Sequence, residues 1–98
     1  MNYSLVRSDP AELDMLEIGR YIARDSVDAA LRFLDRVDDA LHMIQEFPGV
    51  GQTRPEIAQS VQSFPLGQYL ILYRVIDAEI QLLRVVHGAR DIEQLEIG

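Results

Sequence analysis

The chain has 98 residues, 48% of them apolar, so residues 1–98 are expected to form one domain around one core. Nine basic residues stand against 16 acidic ones, a formal net charge of −7; direct binding of a DNA or RNA backbone is therefore not expected, because counterion release needs a basic surface, although a local arginine cluster stays open. With neither cysteine nor lysine present, disulfides, iron–sulfur clusters, thiolate zinc sites, Schiff bases and a P-loop are excluded.

Asn2 to Arg7 alternates, with Tyr3 and Leu5 on one side, and reads as a short strand. A helix follows. Asp9 is the expected cap, Pro10 fits the first helical position, and Glu12 lies three residues after the cap. Ala11, Met15, Ile18 and Ile22 form one apolar stripe reaching about Arg24. Gly19 lies beside the stripe, where it would let another helix approach closely. Asp25 and Ser26 compete to cap a second helix, whose stripe is Ala30, Phe33, Leu34, Val37, Leu41 and Ile44. Its other side carries Arg32, Asp35, Arg36, Asp38, Asp39, His42 and Gln45. Asp28 can pair with Arg32, and Arg36 with Asp39, on a solvated face. Pro48, Gly49 and Gly51 end the helix.

The period then changes. Val61 to Phe64 reads as a weak strand ended by Pro65, with a turn at Leu66 to Gln68. Tyr69 to Ile76 is a strong strand, Asp77-Ala78 a second turn, and Glu79 to His87 a strand apolar on both faces and so central. The expected fold is α+β: a helical hairpin on one face of a small, mostly antiparallel four-stranded sheet. Along the second of these strands Tyr69, Ile71, Tyr73 and Val75 point one way, and Leu70, Leu72, Arg74 and Ile76 the other. Only one set can meet the helices. The second face would show Leu70, Leu72 and Ile76 to water unless a partner, or the C-terminal tail, covers it.

Chemistry-bearing residues are few. No serine sits in a glycine-flanked elbow, and HExxH, GxGxxG and EF-hand patterns are absent. His42 and His87 stand too far apart in sequence to suggest a metal site, so neither metal nor cofactor is expected. No apolar run is long enough to span a membrane. Met1 to Arg7 lacks the pattern of a secretory signal, so a cytoplasmic location is expected. The one concentrated group is Arg84, His87 and Arg90, with Arg74 on the neighbouring strand. Such a group can bind an anion, stabilise a phosphorane, or grip a partner's carboxylate. Arg84 and Arg90 can equally pair with Asp77, Asp91 or Glu93, while His87 caps the strand end.

The residues resemble those of a known family across nearly the whole chain. Tyr21-Ile22-Ala23, Pro48-Gly49-Val50-Gly51 with Arg54-Pro55-Glu56, Phe64 to Tyr69, and above all Leu83-Arg84-Val85-Val86-His87-Gly88-Ala89-Arg90-Asp91-Ile92 are similar to ParE-type toxins of bacterial type II toxin–antitoxin systems, within the RelE/ParE superfamily. The resemblance implies a small ParD-like antitoxin as partner, plasmid stabilisation as context, and DNA gyrase as target. On this reading the basic group Arg84, His87 and Arg90 is the expected target contact, and the uncovered face bearing Leu70, Leu72, Arg74 and Ile76 is the expected antitoxin contact. The sibling RelE branch implies an enzyme instead, a ribosome-dependent mRNA endoribonuclease, for which Arg74, His87 and Arg90 would be catalytic. Those relatives carry an arginine inside the Tyr-x-x-x-Tyr strand, where this chain has Leu70. They also end in basic and aromatic residues, where this chain has Glu93 to Gly98. Both departures, with the acidic balance, favour a non-enzymatic gyrase inhibitor over the ribonuclease and over an inert antitoxin-binding module.

Overall fold

The computed structural model describes residues 3–88 together with Ile92 and Leu95. Strand β1 (Ser4–Arg7) leads into helices α1 (Asp9–Ala23) and α2 (Val27–Glu46). A 3₁₀ turn (Pro48–Val50) then precedes β2 (Gln52–Thr53), β3 (Val61–Leu66), β4 (Tyr69–Ile76) and β5 (Glu79–His87). The sheet order is β1-β5-β4-β3-β2. All neighbours are antiparallel except β1, which runs parallel to β5. The α+β fold stands as expected, with five strands rather than four. Two residues are too few to show an alternating pattern, so β2 gave no sequence signal.

Serine, rather than the expected Asp9, starts α1. The Ser8 hydroxyl accepts from the Ala11 N–H at 3.1 Å and donates to the Leu83 carbonyl at 2.9 Å. A carboxylate could do only the first. Of the two competing caps for α2, Ser26 serves, accepting from the Ala29 N–H at 3.1 Å. The helices form the expected hairpin over one sheet face, with α1 over β5 and α2 toward β3. Their apolar stripes close on Ile71, Tyr73, Ile80, Leu82 and Val85. Val37, Leu41 and Ile44 are fully buried, and each such side chain contributes about 1.5–3 kcal/mol of transfer free energy. Two stripe details differ: Ala40 is buried where Leu34 was expected, and Leu34 is 36% exposed. Nor does Gly19 serve close packing, since a Cβ built there would meet nothing within 4 Å.

The strands meet in tight turns. Gly67, at φ +61°, opens the two-residue β3–β4 turn, and Asp77, at φ +54°, the β4–β5 turn. Strand β3 runs on through Pro65. There β2 no longer flanks it, so the missing N–H costs no ladder bond. β5 contains one irregularity. Tyr73 pairs with Leu82 and Leu72 with Arg84, leaving Leu83 without a partner. This bulge resets the alternation. Ile80 and Leu82 face the helices before it and Val85 after it, while Leu83 and Val86 join the opposite face.

That opposite face is not bare. Val61, Leu72 and Val86 form a second small cluster, against which Ile57, Ala58 and Leu95 pack. Leu72, expected to face water unless a partner or the C-terminal tail covered it, is 0% exposed. The β2–β3 connection and one tail residue cover it. Ile76 is 44% exposed, as expected, and Leu70 and Arg74 are half-buried.

Candidate functional site

The site begins where β1 stops. β1 pairs with β5 only as far as Arg7 and Leu82. The Ser8 N–H then donates to the Leu82 carbonyl at 3.0 Å, and the chain turns away into α1. From Leu83 to His87 the outer edge of β5 has no neighbouring strand among the described residues. Side chains take over its ladder. Ser8 satisfies the Leu83 carbonyl, and the Asp14 carboxylate accepts the Val85 N–H at 3.0 Å.

Asp14 does more. Its carboxylate accepts from Arg84 Nε at 2.6 Å and from Nη2 at 2.9 Å. Such a two-pronged pair fixes the plane of the guanidinium as well as its charge. Asp14 is only 8% exposed, so three donors are what make a buried carboxylate tolerable. It stands one position before Met15 in the α1 stripe, and sequence reasoning passed it over. A signal existed: Arg84 is flanked in sequence by Leu82, Leu83, Val85 and Val86, and an arginine in such a run calls for a carboxylate partner.

Between α1 and this edge of β5 lies a cleft of about 400 Å³, walled by Glu17, Ile18, Tyr21, Tyr69, Arg84 and His87. The Tyr69 ring meets the His87 ring edge-on, with centroids 5.6 Å apart at 79°. On its other side it meets Phe33 at 5.2 Å and 60°. This aromatic series runs across the end of the sheet and holds the imidazole at the mouth of the cleft. Arg84 and His87 are thus brought together, as expected. Asp14 offsets the arginine's charge and Glu17 adds a negative one, so the cleft is amphoteric rather than basic. Arg90 lies outside the described residues.

Arg74 does not join them. It pairs with Gln81 in register, whereas His87 pairs with Tyr69. Five strand positions, about 16 Å at 3.3 Å per residue, separate the two levels. Arg74 also shares the face of Leu72, not of Tyr69, and donates to the Gln59 carbonyl at 3.2 Å. Among the described residues, no group of three or more histidine, aspartate or glutamate side chains is gathered to hold a metal. No described helix is long and apolar enough to cross a membrane.

A third locus fixes the loop before β2. The buried Tyr73 hydroxyl donates to the Pro48 carbonyl at 2.8 Å and accepts from the Gly51 N–H at 2.9 Å. A Cβ on Gly51 would lie 2.5 Å from that oxygen, so only glycine fits the position. Burial pushes the phenol's pKa above its ordinary value, and the Gly51 hydrogen bond offsets part of the rise. Beyond the loop, Arg54 bonds Glu56 at 2.8 Å and Ser63 at 3.2 Å. The Arg54 hydrogen bond holds the exposed Glu56 carboxyl below the usual carboxylate range. The Pro-Gly-Val-Gly and Arg-Pro-Glu motifs therefore shape a loop rather than a reaction centre.

The comparisons with known proteins cover nearly the whole chain. A family model described as the ParE toxin of the type II toxin–antitoxin system parDE matches residues 5–92. Toxin ParE3 of Caulobacter vibrioides is 22% identical over 89 residues, 90% of this chain and 89% of that one. Among solved structures, the chromosomal ParDE toxin–antitoxin system of P. aeruginosa superposes with a TM-score of 0.73 at 24% identity, covering 87% of this chain and 95% of the other. The toxin–antitoxin complex RelBE2 of Mycobacterium tuberculosis gives a TM-score of 0.60 at 26% identity, covering 89% and 99%.

Proposed function

Because the chain belongs to the ParE toxin family of type II toxin–antitoxin systems, we propose that it is a non-enzymatic toxin that binds and inhibits DNA gyrase in the cytoplasm and is neutralised by a ParD-like antitoxin. The observation that carries this reading is the apolar state of the strand where ribonuclease relatives bear an arginine. Leu70 holds that position. It packs with the Val61, Leu72 and Val86 cluster, and a Cβ on Gly88 would lie 3.3 Å from its Cγ. Of the basic residues offered as an alternative, Arg74 and His87 do not converge either. Arg74 stands at the far end of the hairpin from His87, and a general acid–base pair needs hydrogen-bond reach.

In this reading Arg84, His87 and Arg90 make the target contacts, with Asp14 setting the position of Arg84. The antitoxin engages the face bearing Leu70, Arg74 and Ile76. Leu72 can take part only where Leu95 or the segment around Ile57 moves aside. The ribonuclease reading draws on one observation, the likeness to the RelBE2 complex.

The deciding experiment is induction without antitoxin, followed by separate pulse-labelling of DNA and protein synthesis. DNA synthesis should stop first, and purified toxin should inhibit supercoiling by purified gyrase. Protein synthesis stopping first, with codon-dependent cuts in mRNA, would overturn the proposal in favour of the ribonuclease.

A further inference from the structure

A second cleft, of about 420 Å³, lies on the other side of Tyr69, between the tip of the helical hairpin and the β3–β4 turn. Ile22, Phe33, Leu66 and the Tyr69 ring give it an apolar floor, and Arg32 and Arg36 form its rim. The two arginines are four residues apart and so share one face of α2. Arg36 reaches over the turn: a Cβ built on Gly67 would lie 3.8 Å from its Nη2.

Of the described arginines, Arg20, Arg32 and Arg36 have no carboxylate, carbonyl or ring partner, and Arg32 and Arg36 are the two of these that stand together on one cleft. Arg7, Arg54 and Arg84 are paired with Asp38, Glu56 and Asp14. Arg74 holds a backbone carbonyl, and Arg24 lies over the Tyr21 ring at 6.0 Å. The sequence offers Asp28 to Arg32 and Asp39 to Arg36, yet neither ion pair forms, and both guanidinium groups lack a carboxylate partner among the described residues. In a chain of 16 acidic residues, two adjacent like charges beside an apolar floor make a site complementary to a carboxylate carried on a greasy segment.

We infer that this cleft receives an acidic–apolar peptide segment of a partner protein. An apolar side chain rests on Ile22, Phe33 and Leu66, and an adjacent carboxylate bridges Arg32 and Arg36, whose planar forks suit it. A nucleic acid fits less well. Its repeated phosphates would meet two cations and then the field of a chain with net charge −7. The inference does not depend on the toxicity reading, because neither arginine belongs to the Arg84–His87 cleft.

The test titrates the ¹⁵N-labelled full chain with the capped peptide acetyl-Leu-Glu-Glu-Leu-amide and with its glutamine counterpart, following amide shifts. Shifts at Phe33, Gly67 and Tyr69 are expected, with the glutamine peptide about tenfold weaker, the scale of a lost charge-assisted hydrogen bond. The double variant Arg32→Gln, Arg36→Gln should weaken the acidic peptide by a similar factor without changing the circular dichroism spectrum, since both side chains are exposed. No shift at these amides at millimolar peptide overturns the inference, as does equal binding of the two peptides. Tighter binding of a single-stranded oligonucleotide at the same amides would replace the peptide with a nucleic acid and overturn it too.

Discussion

The two faces of the sheet are closed by different means. On one, two helices lay down a continuous stripe, from Ala11 to Ile44, over the inward side chains of β3, β4 and β5. On the other, among the described residues, Ile57, Ala58 and Leu95 from two separated segments pack against the cluster that holds Leu72. The first cover is periodic and extensive. The second is a patch made of irregular chain. What this teaches is that apolar content on both faces of a strand does not mean equal burial by equal means: one face is built by folding, and the other is closed by small pieces that hold few contacts of their own.

The difference has measurable consequences, the largest on the helical side. Leu41→Ala, which empties a fully buried position, should cost about 2–5 kcal/mol in urea unfolding. A loss under about 1 kcal/mol would mean that the helical cover is loosely packed. Next comes Tyr73→Phe, which strips the partner from Gly51 N–H and Pro48 carbonyl and should cost about 1–2 kcal/mol. The same residue sets an alkaline limit. Its raised pKa means that the unfolded chain loses its phenolic proton before the folded one does. Stability should therefore be complete below about pH 10, the free phenol's value, and fall as pH rises through and above it. Urea midpoints measured across that range should flatten in Tyr73→Phe, and an unchanged slope would take the loss away from Tyr73. Smallest is the other face: Leu95→Ala should cost no more than about 1 kcal/mol, half the worth of a buried leucine, while raising the binding of a hydrophobic dye. A cost matching that of Leu41→Ala would show both covers to be one core.

Legibility in the sequence followed the same divide. Both helices and both hairpin turns could be read because period and turn chemistry repeat over several residues. The inward set Tyr69, Ile71, Tyr73 and Val75 was read correctly for that reason. The strand expected to be central, β5, is instead flanked on both sides only up to Leu82 among the described residues, and β4 is the middle strand. What escaped was single residues acting across the chain. Ser8 outdid Asp9 as a cap because its hydroxyl must also donate to β5. Leu83 shifted the alternation of β5, which no local pattern announces. Asp14 hid beside an apolar stripe although it holds Arg84 and the Val85 N–H. In the candidate site, the nearness of Arg84 and His87 was legible from their spacing on one strand. The distance of Arg74 was not, because it depends on register across the hairpin. Arg32 and Arg36 passed for members of a solvated belt, since the carboxylates that fail to pair with them stand at the right helical spacing.

One feature of the sheet bears on timing. Ser4, in the first strand, bonds across 74 positions to Ala78, at the turn that opens the last, and among the described residues β5 is the strand with which β1 pairs. Such distant pairing closes late and slows folding. On a ribosome, which makes the chain from its amino end at about 5–20 residues per second, the first strand has no strand to pair with until β5 has been made. The Ser8 and Asp14 contacts that complete the edge of β5 wait for the same moment. A copy not yet made past β5 therefore has no finished Arg84–His87 cleft to present.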